Sequence, residues 1–74
     1  MKSSEAVRNI MKEQGVSLTM LADRLDKPVR LVSDRLRMEN ISVEKLKELL
    51  RGLDYRVVIM PTNERIPNGA VEIE

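Results

Sequence analysis

Cysteine and histidine are both missing from this chain. Their absence excludes a disulfide framework, a thiolate zinc site and every imidazole-based acid, base or metal ligand. The reading is therefore no enzyme, no catalytic residues, no metal and no cofactor. Phe and Trp are absent too, which leaves Tyr55 as the single ring. Any core must be aliphatic, built from Leu, Val, Ile and Met, and such a core suits packed helices. No run approaches the roughly 18 to 20 consecutive apolar residues of a membrane span, and the opening Met-Lys-Ser-Ser-Glu lacks the apolar stretch of a signal peptide. The expected location is the cytoplasm, with no membrane partner. Seventy-four residues suffice for one small fold, at a size where a lone core is only marginally stabilising and a second copy would help.

The formal net charge is only +1, but it is unevenly spread. Residues 1–38 carry eight Lys and Arg against five Asp and Glu, whereas residues 39–74 carry five against seven. The basic excess is concentrated around Arg24, Lys27, Arg30, Arg35 and Arg37. A solvated mixed-charge face is the plain alternative to an anion-binding surface.

Apolar spacing predicts four helical segments. The first runs from about residue 4 to residue 14, capped by Ser3 or Ser4, with Val7, Ile10 and Met11 inside and Gly15 closing it in the left-handed conformation. Ser17 caps a second helix whose Leu18, Leu21, Ala22 and Leu25 lie three and four apart. Asp26-Lys27-Pro28 then breaks the chain. Pro28 suits the first turn of a third helix, residues 28 to about 37, with Val29, Val32 and Leu36 as its inner stripe. Ser42 caps a fourth in which Leu46, Leu49, Leu50 and Leu53 recur, while Glu44, Lys45, Lys47, Glu48 and Arg51 occupy the outer face, where Glu44 and Glu48 read as solvated surface charges. Gly52 either permits close packing or marks the end of that helix. Two short helices around a tight break form a helix-turn-helix pattern, which leaves the second helix projecting from the surface.

From Tyr55 the period changes. Val57, Val58, Ile59 and Met60 are contiguous and apolar, bounded by Asp54 and Pro61, and read as a short β-strand. Such a strand needs an edge partner. The same strand of a second copy is one candidate. Residues 70–73, returning through the Pro67-Asn68-Gly69 turn signal, are another, and the two are compatible. The expected organisation is a bundle over residues 1–54, followed by a strand or hairpin and tail over residues 55–74.

The stretch from Val7 to Met60 resembles the Cro and phage-repressor helix-turn-helix family, also called the xenobiotic-response-element family. The resemblance rests on Leu21-Ala22-Asp-Arg-Leu25, on Val32-Ser33, and on Ile41-Ser42 leading into the Leu46 to Leu53 helix. Leu53-Asp-Tyr-Arg-Val-Val-Ile59 is similar to the ending of small members from phages and mobile elements. This resemblance implies a mainly α fold, a bundle of four or five helices here extended by the C-terminal strand, and operator binding as a homodimer. Asp26 and Asp54 stand where the family usually has Gly, and both are expected to be left-handed because Asp tolerates that region. Asn40 is expected to replace a further Gly after the third helix.

The implied partner is double-stranded DNA. Expected base contacts come from the third helix: Arg30 and Arg37 with guanine, Asp34 with cytosine, Ser33 with either kind of base, and Val29 against a thymine methyl. The competing use of Arg30 and Asp34, four apart, is a surface ion pair worth about 0.2 to 0.5 kcal/mol. Expected phosphate contacts are Ser17, Thr19, Lys27, Ser42 and Lys45. Tyr55, Val57, Val58, Ile59 and Met60 are the expected dimerisation residues. The expected activity is transcription regulation, as a repressor. A second class of function is an antitoxin or adaptor that uses the helix-turn-helix as scaffold and grips a protein partner through residues 61–74.

Overall fold

A computed structural model describes residues 2–73; Met1 and Glu74, the outer ends of the two expected segments, lie outside the described residues. Helix α1 (Ser3–Gln14) starts one residue earlier than expected, with Lys2 at the N-cap. The capping contact comes from Glu5, whose carboxylate accepts the Lys2 backbone N–H at 3.3 Å, and not from a serine. Ala6, Val7, Ile10 and Met11 form its buried stripe, and Gly15, at φ 66°, ends it. There the Gly15 N–H donates to Lys12 O at 3.2 Å and the Val16 N–H to Met11 O at 2.9 Å, so a left-handed residue satisfies two otherwise orphaned carbonyls.

Helix α2 (Leu18–Leu25) follows with Ser17 as N-cap, its hydroxyl accepting the Met20 N–H at 3.1 Å. Asp26 closes α2 at φ 55°, as the Gly-to-Asp replacement requires. Helix α3 (Val29–Arg37) begins one residue later than expected, because Pro28 adopts an extended ψ of 142° and serves as N-cap instead of entering the first turn. Its carbonyl takes the Leu31 and Val32 N–H groups at 3.1 and 3.3 Å. Ser42 caps helix α4 (Val43–Arg51) by accepting the Lys45 N–H at 3.3 Å.

Both expectations for Gly52 hold. It terminates α4, and a Cβ on it would lie 2.6 Å from Leu21 Cδ1 and 3.1 Å from Leu25 Cδ2. Beyond it Leu53 still enters the core, and Asp54 is left-handed at φ 60°. Asn40 is not: Asp26 and Asp54 are the non-glycine residues with positive φ among those described, so the loop from α3 to α4 turns without a left-handed residue at Asn40.

Leu21, Leu49, Leu53, Val7 and Val32 are the largest fully buried side chains, joined by Ile10, Met11, Val16, Ala22, Leu25, Leu36, Leu46 and Leu50 in one aliphatic core with no polar residue inside among the described residues. Each fully buried Leu or Val stabilises the fold by about 1.5 to 3 kcal/mol relative to exposure. Val29 does not join that stripe; it is 41% exposed.

The expected C-terminal strand is not seen. Four helices and no strand occur among the described residues. A strand exists through its ladder, and residues 70–73 do not provide one. The Pro67-Asn68-Gly69 turn forms, with Gly69 at φ 86° and the Ala70 N–H closing on Pro67 O at 3.1 Å, but no pairing follows it. Tyr55 is half-buried against the core, and its hydroxyl donates to Gly69 O at 3.3 Å. This leaves Val57, Val58, Ile59 and Met60 on an exposed arm, Ile59 at 98%.

Candidate nucleic-acid interface

Helix α3 packs through Val32 and Leu36. With 100° per residue, the side opposite that stripe carries Arg30, Asp34 and Arg37, all three exposed. Among the described residues none of them takes part in an ion pair. The Arg30–Asp34 surface pair that would have used up two of these groups is thus not formed, and both guanidinium groups and the carboxylate face solvent. Val29 adds exposed apolar surface at the start of the same helix.

Ser33 lies apart from this group. It is half-buried on the flank of α3 that faces α1, in a groove lined by Arg8, Lys12 and Leu18. On the other flank Arg30 and Asp34 share a groove with Met38 and Lys45, so the N-terminal turn of α4 sits beside the exposed face of α3. Lys45 and Thr19 are exposed. The hydroxyls of Ser17 and Ser42 are engaged as caps, which leaves their O–H protons and the exposed N–H groups of the first helical turn as the donors an anion would meet.

Lys27 is not a free cation. Its Nζ lies 3.6 Å from Glu48 Oε1, while Arg35 Nη1 lies 3.0 Å from Glu48 Oε2. Close polar contact with Arg35, and more weakly the charge of Lys27, holds the Glu48 carboxyl below its ordinary value against an opposing push from burial. Arg35, part of the basic excess in the sequence, is therefore turned inward, with Nη1 buried and with poor hydrogen-bond alignment to the carboxylate. Glu48, expected to be a solvated surface charge, is instead the hub of this cluster. No sequence period marks such a pairing between different helices.

Sequence reasoning also passed over Arg8, whose Nη2 donates to Leu36 O at 3.4 Å at the end of α3, and Lys12 one turn further along α1. Their spacing of four was the available signal. Arg24 Nη1 donates to Gly52 O at 3.1 Å, and Gln14 Nε2 to Leu53 O at 2.9 Å. These contacts brace α2 and α1 against the end of α4.

No described helix is long and apolar enough to cross a membrane. Neither the curated proteins nor the solved structures give a match. The helix-turn-helix family does match, over residues 7–59, which takes in all of α2, α3 and α4, most of α1 and the first residues of the arm. The chain belongs to the Cro and repressor-type helix-turn-helix family of DNA-binding transcription regulators.

Proposed function

We propose that this protein is a sequence-specific repressor of transcription that binds double-stranded DNA as a homodimer on an inverted repeat. The observation that carries this reading is the outward face of α3, where Arg30, Asp34 and Arg37 are exposed and outside any ion pair among the described residues. In the major groove Arg30 and Arg37 each present two donors to guanine, Asp34 accepts from cytosine, and Val29 meets a thymine methyl. Ser33, on the flank, reaches a base at the groove edge. Thr19, Lys45 and the capped starts of α2 and α4, at Ser17 and Ser42, set the register through phosphates, which carry position but no sequence information. Lys27, whose side chain is 42% exposed, joins them through the N–H donors that do not face Glu48.

One module of this size covers little DNA. Two copies reading half-sites roughly 34 Å apart supply the remaining affinity, and the exposed apolar arm of Val57, Val58, Ile59 and Met60, with Tyr55 at its root, supports pairing of like with like. Such a regulator works in the cytoplasm.

A second reading is favoured by the same arm. Ile66, Val71 and Ile73 are also exposed, and a protein partner could cover them while the bundle serves as an antitoxin or adaptor scaffold. Selection from a random duplex library at about 150 mM salt, where phosphate-only binding is weakened, separates the two. Enrichment of an inverted repeat supports the repressor reading. If no sequence is enriched, that reading fails and the adaptor takes its place.

A further inference from the structure

Helix α3 packs its backbone against α1 and α2, whereas its backbone contact with α4 is slight. Beyond the aliphatic core that both helices share, a charged side-chain cluster joins α3 to α4. Glu48 Oε2 reaches Arg35, on the side of α3 turned away from Arg30 and Arg37, and Glu48 Oε1 reaches Lys27 in the turn before α3. One carboxylate therefore touches the segment that starts the recognition helix and a point in its last turns. Arg35 is only 17% exposed and its buried Nη1 has no hydrogen-bond partner in good geometry, so Glu48 is the counter-charge that makes its inward position tolerable. On the opposite flank the contact of Arg8 with Leu36 O braces the end of the same helix.

Resting on the reading that α3 reads DNA sequence, we propose that Glu48 is a positioning residue for base recognition: through Arg35 and Lys27 it fixes the tilt of α3 and so the aim of Arg30, Asp34 and Arg37, without touching DNA. Two-point hydrogen bonding to a base edge tolerates misplacement of only about 0.5 Å or 10 to 20°, and a helix released on one side exceeds that.

The test turns on a sign. Glu48→Gln keeps the shape of the side chain and removes one negative charge from a DNA-binding protein, which by charge alone tightens binding to every duplex. Positioning predicts the reverse for the preferred duplex. Affinities of the full chain for the duplex recovered by selection and for a scrambled duplex are measured by fluorescence anisotropy at one salt concentration, below the melting temperature of each variant. The expected result is a fall of about tenfold in the ratio of the two affinities, the scale of one misaligned bidentate base contact, with scrambled-duplex binding unchanged or tighter. Arg35→Lys, which preserves net charge and is the milder change should Glu48→Gln fold poorly, is expected to lower the ratio likewise. A ratio unchanged in both variants overturns the inference while the repressor reading stands. Wild-type protein with no preferred duplex overturns both.

Discussion

Gly52 is the position where a single methyl group should do the most measurable harm. Its backbone, φ −71° and ψ −9°, is open to any residue, so Ala costs nothing in conformation and reduces the freedom of the unfolded chain, a gain of about 0.4 to 1 kcal/mol. Against this stands the approach of α4 to α2. The new Cβ would sit 2.6 Å from Leu21 Cδ1 and 3.1 and 3.2 Å from Leu25 Cδ2 and Cγ, whereas carbon atoms rest at about 3.5 to 4.0 Å. Leu21 is 0% exposed and Leu25 3%, so neither can swing into solvent. Overpacking of this kind costs about 1 to 3 kcal/mol. With Leu21 Cδ1 at 2.6 Å placing the cost in the upper half of that range, the net effect of Gly52→Ala is a destabilisation of about 1 to 2.5 kcal/mol, which for a domain of this size lowers Tm by about 4 to 20 °C. Thermal and urea unfolding at one fixed protein concentration measure it, the urea midpoint falling with unchanged slope. The partner variant Leu21→Ala removes the obstructing atoms. In combination the two should lose at least about 1 kcal/mol less than the sum of the single losses, since the residues are in contact. A Gly52→Ala protein that melts at or above wild type would refute the close approach of α2 and α4.

Four further outcomes are expected. Arg30→Ala weakens binding to the preferred duplex by about 1 to 3 kcal/mol and leaves random duplex nearly unaffected; equal losses on both, in the same anisotropy assay, would remove Arg30 from base readout. Ser17→Ala and Ser42→Ala each lower stability by about 1 kcal/mol through loss of the cap, read as a shift in the urea midpoint, and an unchanged midpoint would contradict the cap geometry. The Glu48 carboxyl is held below its ordinary value of 4.5, so its charged form stabilises the fold fully above that value and the benefit is lost as pH falls through the lower, folded-state value. The stability gap between wild type and Glu48→Gln should therefore be constant from pH 6 to 7 and close in acid; a gap that widens in acid would be the wrong sign. Ile59→Lys, at a side chain 98% exposed, should abolish self-association in sedimentation while leaving the melting of the bundle intact, whereas wild-type protein sedimenting as a monomer at micromolar concentration would count against the arm as a dimer contact.

Features written in local spacing were legible before any coordinates. The caps at Ser17 and Ser42, the left-handed Gly15 and the stripes of α1, α2 and α4 follow from residues within one or two turns of each other, while the left-handed Asp26 and Asp54 follow from the family resemblance, which puts Gly at both places. The exposed side of α3 was legible to the same depth: helical phase alone put Arg30, Asp34 and Arg37 on one outward side. What escaped depends on distant partners. Glu48 reads as a surface charge until α3 brings Arg35 beside it. Val57 to Met60 satisfy every compositional rule for a strand, yet composition does not supply a ladder. Pro28 fits both the N-cap and the first turn by its φ, and only ψ, which the sequence leaves free, separates the two.

The arm has a consequence for handling the molecule. Among the described residues its backbone hydrogen bonds beyond Tyr55 are confined to two local turns, Glu64 N–H to Pro61 O and Ala70 N–H to Pro67 O, so the amides of Arg56, Val57, Val58, Ile59 and Met60 lack the protection a sheet would confer. Arg56 and Arg65 are exposed, and both offer trypsin a cut in unpaired chain, where nicking concentrates. Brief digestion should shear off the apolar segment before it opens any helix. Because a covered arm would resist the same enzyme, the rate of that cut reports directly on whether anything has docked there.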